Sequence, residues 1–337
     1  MGAMLERVEI KGYKSAYDVS LDLGRLTVLV GANGSGKTSI LEAIAGTTAA
    51  LRGTERQDSV VKRFGVEPND VQEIVSWQSD RTLIELIADG GRRRGRLKIL
   101  PREREWFSVA TVEDPTSPGK PIGWPTDARL LRLEPDLIAR PAVSGEELPI
   151  FESSGANAGP VLDSLPRDVL DGLDAELHGV LSDVHAVRAG RKRVPSDGGV
   201  GHEPVYRIHG YDVRARHASE GTNLVLGILL ALVSTSGPTT ILLDDIQRGL
   251  HPRAQADVLT AIRGLLSRDP TLQVIATTHS PYLVDELQAE EVAVVVQREG
   301  RAYVRSLSDH PDADRWKGEL RTGEFWSAVG EDWVVDS

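Results

Sequence analysis

The sequence predicts an α/β fold: a mixed, mostly parallel sheet with helices on both faces, an antiparallel β subdomain and a compact helical/β insert. Three observations predict it. The apolar run Leu26–Val30 leads through the glycine-rich stretch Gly31–Thr38 into a helical pattern, the strand–loop–helix unit of a parallel sheet. From Asn223 to Val296, buried-strand and helix patterns alternate, as they do in consecutive βαβ units. Between Thr82 and Val112, strands instead follow one another across short turns, which is antiparallel pairing.

In chain order, Val8 and Ile10 alternate with polar residues, as do Val19, Leu21 and Leu23. Two half-exposed strands are therefore expected to pair around Gly12–Ser15. Tyr13 and Lys14 read there as ordinary strand-end residues, with base stacking and phosphate contact as the alternative. Leu26–Val30 is short, apolar and β-branched, hence a buried strand. Ser39–Ala45 sets Ile40, Leu41 and Ile44 on one helical face. Residues 52–75 are polar and weakly patterned. Strands are expected at Thr82–Ala88, Arg96–Leu100 and Trp106–Val112, with a turn at Asp89–Gly91 and a proline-rich loop from Asp114 to Pro125. Arg129–Leu133 reads as a strand, and Pro166–Val184 as a helix with its proline in the first turn. Ser196–Gly201 reads as a loop, and Val205–Ile208 with Tyr211–Val213 as a hairpin. A helix (Asn223–Val233), a strand (Thr240–Asp245), a helix (Arg253–Leu266) and a strand (Leu272–Thr277) follow, then a hairpin of Glu291–Val296 and Ala302–Leu307.

This order divides the chain into a hairpin and phosphate-loop part (1–51), a β-rich insert or lid with one helix (52–216), a second core part (217–308) and a tail (309–337). The tail holds three of the six tryptophans. Self-docking is the preferred reading of these, and a partner or dimer surface the alternative.

With 337 residues, 40% hydrophobic and 26% charged, the chain can build a sizeable core. It has no cysteine, which excludes disulfides, thiolate metal sites and a cysteine nucleophile and fits a cytoplasmic setting. No apolar run approaches the ~20 residues of a membrane span, no signal-peptide pattern opens the chain, and no membrane partner is expected. The net charge of −11 argues against broad nucleic-acid affinity. Two basic clusters, Arg92–Arg96 and Arg188 with Arg191–Arg193, read as solvated loops, with contact to a phosphate backbone as the alternative.

Gly31-Ala32-Asn33-Gly34-Ser35-Gly36-Lys37-Thr38 matches G-x-x-x-x-G-K-[ST]. Gly31, Gly34 and Gly36 let the backbone approach phosphate oxygens, and the helix start at Ser39 adds free N–H groups. Lys37 brings a point charge to the β/γ-phosphates, and the Thr38 hydroxyl can ligate Mg²⁺. Asp244 closes an apolar strand, where its carboxylate can hold Mg²⁺; Asp245 is placed to orient or deprotonate water. His279 follows the next buried strand, where an imidazole can meet a γ-phosphate or the attacking water. Ser219-Glu220-Gly221-Thr222 opens an apolar helix and forms a second anion-binding end, with a simple N-cap as the plain alternative.

These motifs, with Gly249-Leu250-His251-Pro252 and Thr278-His279-Ser280-Pro281, stand in the order seen in ABC-class P-loop ATPases, and resemble the soluble RecF/SMC-like and OLD-type branch. The spacings are similar too: 244 − 219 = 25 residues and 279 − 244 = 35 residues. Ile10–Ser15 also resembles that branch. The resemblance implies that Gly31, Asn33, Gly34, Ser35, Gly36, Lys37, Thr38 and Ser39 bind ATP, and that Thr38 and Asp244 bind Mg²⁺. It makes Asp245, His279 and Lys37 the catalytic residues. Ser219 and Gly221 would contact ATP held by a second protomer of a homodimer, with Gly249–Pro252 facing across it and Gln72 or Gln78 as the Q-loop glutamine.

The chain departs from the pattern at two positions: Asp245 stands where the family usually has Glu, and Gln247 where it often has an acid. A carboxylate set back by about 1.5 Å can cost about 10²-fold in rate, so slow hydrolysis is expected. A long coiled coil and a TOPRIM-type nuclease domain are not expected. The resemblance implies ATP-driven control of DNA or of a separate effector protein, in DNA repair or anti-phage defence. The alternatives are a non-hydrolysing ATP-bound switch and, more remotely, the ATP subunit of a membrane transporter.

Overall fold

A computed structural model describes residues 4–53, 75–76, 79, 81–102, 105–114, 123–145, 148–193, 199–235 and 237–335. Gln72 and Gln78 lie outside the described residues. Contacts divide the chain into two units: Met1–Leu130, Gly237–Ile246 and Pro270–Ser337 form the first, and Leu131–Ser236 with Gln247–Asp269 the second.

The first unit holds two sheets. One is antiparallel, in the order β2-β1-β4-β5-β6, built from β1 (Leu5–Tyr13), β2 (Ala16–Asp22), β4 (Thr82–Ala88), β5 (Arg93–Arg102) and β6 (Glu105–Glu113). The other is mixed, in the order β14-β13-β3-β12-β11-β7: β3 (Leu26–Val30), β7 (Asp127–Leu131), β11 (Thr239–Leu243), β12 (Leu272–Thr278), β13 (Val292–Arg298) and β14 (Arg301–Ser306). Within it, β13, β3, β12 and β11 run parallel, with Ala276 opposite Val28 and Leu243 opposite Ala276. Every residue of β3, β11 and β12 is buried, as a strand covered on both faces requires.

Helix α1 (Lys37–Arg52) fills the core of this unit. It packs against β1, β4, β5 and β6 and reaches β12. Ile40, Leu41 and Ile44 are fully buried with Val8, Ile10, Ile84, Leu86 and Leu97. Tyr13 is fully buried in the same core, which excludes base stacking, and the Lys14 ammonium is 2.6 Å from the Glu42 carboxylate. The helix runs to Arg52, beyond the pattern of Ile40, Leu41 and Ile44, because Thr47 and Thr48 are also fully buried.

One polar side chain ties the two sheets together. Gln273, 1% exposed on β12, accepts hydrogen bonds from the Leu5 N–H at 3.1 Å and the Thr240 hydroxyl at 2.8 Å. Its amide donates to the Leu5 carbonyl at 2.7 Å and the Gly24 carbonyl at 2.8 Å.

The second unit holds a three-stranded antiparallel sheet, β10-β9-β8, of β8 (Val184–Arg193), β9 (Val200–Ile208) and β10 (Tyr211–Arg214). Its helices are α2 (Pro135–Ile138), α3 (Ala158–Ser164), α4 (Arg167–Val180), α5 (Glu220–Val233) and α6 (Pro252–Arg268). Helix α5 is the apolar centre, packed on α2, α4 and α6. The Tyr206 hydroxyl donates to Asn223 Oδ1 at 2.7 Å, and the Asn223 amide donates to the Ala215 carbonyl at 3.1 Å. This fixes the first turn of α5 to the hairpin before it. Complete burial pushes the Tyr206 hydroxyl's pKa far up, so it remains a donor. Tyr206→Phe leaves the Asn223 oxygen without this donor and is expected to cost about 1–2 kcal/mol, read as a lower urea midpoint at unchanged slope.

Three sequence expectations are corrected. The helix from Pro166 stops at Val180, and Val184 already belongs to β8. Apart from Arg92, in the turn before β5, the basic clusters lie in strands, not loops. Arg94 and Arg96 both pair with Glu85, and Arg93 pairs with Asp114 at 2.5 Å. Arg188 pairs with Asp174 at 2.7 Å. Strand β9 starts at Val200, inside the expected loop. Helices α2 and α3 are too short to leave a periodic signal.

In the first unit, α7 (Pro281–Val284), α8 (Ala313–Trp316) and α9 (Thr322–Val329) complete the structure. The tail docks on its own unit: Phe325 and Val334 are buried, and His310 meets Phe325 and Trp333 edge-on at 5.4 Å and 5.0 Å. Among the described residues no helix is long and apolar enough to cross a membrane.

Candidate functional site

The parallel strands of the first unit deliver their C-terminal ends to one edge, where open α/β sheets place ligands. The glycine loop follows β3 there. Gly31 has φ +144°, and a Cβ on it would sit 2.1 Å from the Val295 carbonyl oxygen. Gly36 has φ +108°, and a Cβ there would meet the Ala302 methyl at 2.8 Å and the Ser15 hydroxyl at 2.9 Å. Both glycines are therefore required by the backbone path. Gly34 faces open space.

Lys37 starts α1 and is 6% exposed. Its ammonium donates to the Gly31 and Ala32 carbonyls, each at 2.8 Å. Burial lowers its pKa, opposed by the charges of Asp245, Asp244 and Glu331.

The Thr38 hydroxyl lies 3.1 and 3.0 Å from the two Asp244 oxygens. Thr277, the penultimate residue of β12, donates to Asp244 Oδ1 at 2.8 Å and accepts from the Asp245 N–H at 2.8 Å. A single hydroxyl thus fixes both acids. Asp245 has φ +53°, a left-handed conformation that only a well-supported site holds in a non-glycine residue. The His279 imidazole lies 3.7 Å from the Asp245 carboxylate, and each side chain is about half exposed, 50% and 49%.

A cavity of ≈ 310 Å³ opens over this group, lined by Ser15, Asn33, Gly34, Gly36, Lys37, Thr38, Ser39 and Asp245. Among the described residues, the buried Ser35 hydroxyl has no hydrogen-bond partner. An unsatisfied hydroxyl, an open glycine cradle and a buried ammonium suit a polyphosphate. One hydroxyl and one carboxylate suit Mg²⁺, which takes few protein ligands beside water and phosphate. Among the described residues, no group of three or more His, Asp or Glu forms a metal cage.

Gly31–Ser39, Asp244, Asp245 and His279 thus converge within the first unit. Ser219 and Gly221 belong to the second. The Ser219 oxygen caps α5 by accepting from the Thr222 N–H at 3.0 Å, and a Cβ on Gly221 would lie 3.0 Å from the Gly249 carbonyl oxygen. Sequence reasoning misses Ser15 and Thr277 as site residues, although Thr277 is a polar residue at the end of an apolar strand.

Two family profiles cover these motifs. Residues 4–49, with the glycine loop, match the family described as "AAA ATPase domain". Residues 193–285, with Ser219, the paired acids and His279, match "AAA domain, putative AbiEii toxin, Type IV TA system". Septu protein PtuA of Bacillus mycoides (strain KBAB4) is 23% identical over 329 residues, covering 89% of this chain and 42% of PtuA. A solved SMC head, bound to the C-winged helix domain of ScpA, superposes with TM-score 0.63 at 16% identity, covering 92% of this chain and 99% of that one. The chain carries the fold and the motifs of ABC-class P-loop ATPases of the RecF/SMC type. The DNA replication and repair protein RecF of Paenarthrobacter aurescens (strain TC1) is 36% identical over 95 residues, 28% of this chain and 24% of RecF. The chain spans less than half the length of either curated relative.

Proposed function

We propose that the chain binds ATP with Mg²⁺ at the Gly31–Ser39 loop and hydrolyses it slowly. It does so as a head-to-tail homodimer that controls DNA or a separate effector protein, in DNA repair or anti-phage defence in the cytoplasm. The observation that carries this reading is the convergence of Lys37, Thr38 and Asp245 around one cavity, with Asp244 against Thr38 and His279 beside Asp245. Lys37 and the loop amides hold the β- and γ-phosphates; Thr38 and Asp244 hold Mg²⁺, which when bound supplies charge to the transferring phosphoryl group. Asp245 orients the water, and His279 lies beside it to donate to developing charge. Ser219 and Gly221, at the N-terminus of α5, would engage the γ-phosphate on a second protomer. The names of RecF and PtuA support the setting.

Light scattering with and without ATP·Mg²⁺, beside a phosphate-release assay, tests this. ATP-dependent dimers with slow release are expected. A constant oligomer with no release removes the engine.

A non-hydrolysing switch is the second reading, favoured by the short acid at 245. Asp245→Glu distinguishes the two. Extending the carboxylate by about 1.5 Å is expected to change turnover by up to about 10²-fold if the residue orients the water. A large gain supports the switch; unchanged steady-state phosphate release removes it.

A further inference from the structure

The parallel pairing of β11 with β12 ends at Leu243 opposite Ala276. Just beyond, where the paired acids leave β11, Thr277 takes over from the ladder. Its carbonyl accepts from the Ile246 N–H at 3.1 Å, and its hydroxyl accepts from the Asp245 N–H at 2.8 Å. Two successive backbone N–H groups are thus held by one residue, and there Asp245 keeps its φ of +53°. A non-glycine residue persists in that conformation where its surroundings over-determine it. On its other side β12 pairs with β3, with Thr277 opposite Leu29 and Thr278 opposite Val30. Thr277 is fully buried between the strand of the acids and the strand of the phosphate loop.

The direction of each hydrogen bond follows from the donors. A backbone N–H can only donate, so the Thr277 oxygen is the acceptor toward Asp245, and its one proton goes to Asp244 Oδ1 at 2.8 Å. That proton holds one carboxylate oxygen of Asp244 and leaves Oδ2 facing the Thr38 hydroxyl at 3.0 Å. Asp245 lines the cavity, and Thr277 stands behind both acids.

We propose that Thr277 is a positioning residue of the site: through one hydroxyl it aims the Asp244 carboxylate at Mg²⁺ and fixes the backbone that aims Asp245 at the water. This rests on the reading of the loop as a nucleotide site. The hydroxyl makes the two acids one unit, so its loss is felt at the metal and at the water together.

Calorimetric titration of the full chain with ATP, once in EDTA and once with Mg²⁺, tests this beside phosphate release at saturating ATP·Mg²⁺. Thr277→Val keeps the shape and removes the hydroxyl. Thr277→Ala removes the methyl group as well, and Thr277→Ser keeps the hydroxyl. In Thr277→Val and Thr277→Ala alike, the gain in ATP affinity that Mg²⁺ confers is expected to fall about tenfold, as loss of a group that orients a metal ligand does. Phosphate release is expected to fall by about 10- to 10²-fold. ATP affinity in EDTA, set by Lys37 and the loop, is expected to hold, and Thr277→Ser to restore both other readouts. An unchanged Mg²⁺ gain in Thr277→Val overturns the assignment, as does a wild type indifferent to Mg²⁺. So do an effect in Thr277→Ala alone, which is packing, failure of serine to restore, and an equal loss of ATP affinity in EDTA, which is general damage to the fold. The Mg²⁺ gain decides even where wild type releases no phosphate. Failure of wild type to bind ATP overturns the nucleotide reading itself, and this inference with it.

Discussion

Lys37→Ala is expected to abolish measurable ATP binding at micromolar nucleotide and to reduce phosphate release by about 10²- to 10³-fold, as loss of a preorganised charge at a phosphoryl site does. The residue is 6% exposed, and its ammonium is the positive charge set against Asp244, Asp245 and Glu331. Without it Asp245, which lines the cavity, meets a polyphosphate uncompensated. The same burial gives a test in pH. The folded-state pKa of Lys37 lies below its unfolded value, so between the two the unfolded chain binds the additional proton. The Lys37 contribution to stability therefore rises with pH toward the ordinary lysine value of 10.5, while nucleotide affinity falls as the charge is lost. Urea melts of wild type minus Lys37→Ala across that window should show a positive slope. A flat difference would mean that the ammonium is not desolvated in the fold.

Gln273→Leu is expected to destabilise the first unit by roughly 3–9 kcal/mol, at about 1–3 kcal/mol for each buried backbone group left unpaired. The Leu5 N–H, the Leu5 carbonyl and the Gly24 carbonyl all lose their side-chain partner. Leucine matches the size of glutamine but supplies no donor or acceptor. A loss of this size approaches the whole stability of a typical domain, about 5–15 kcal/mol, so the variant should be recovered largely unfolded. A urea midpoint within the range of a roughly 1 kcal/mol change would show that the strand ends relax and find other partners.

Gln273 also marks where the sequence stops being legible. Leu272–Thr277 reads as a buried strand because of its apolar residues, and it is one. Nothing local says that its single amide should bond three distant segments, since those partners are fixed by sheet order. The same holds for Thr277, whose hydroxyl serves two acids that follow another strand. The phosphate-loop residues are readable because a glycine loop must sit between a strand and a helix, and the acids and His279 because they must close buried strands. The arginine clusters read as loops although Arg94, Arg96 and Lys98 alternate with Gly95 and Leu97, the period of a strand with one solvated face. Counting charge obscures the alternation.

The strand order of the mixed sheet has a consequence for how the protein is made. Both neighbours of β3 in that sheet, β12 and β13, are encoded far downstream, beginning at Leu272 and Val292. At about 5–20 residues per second, a ribosome needs on the order of 10–50 s after β3 emerges to supply its first partner. Throughout that interval an apolar strand with two bare edges waits in the nascent chain, where it can recruit chaperones or pair wrongly with another copy. The phosphate-binding loop, although written in the first stretch of the chain, is then among the last parts of the molecule to take shape.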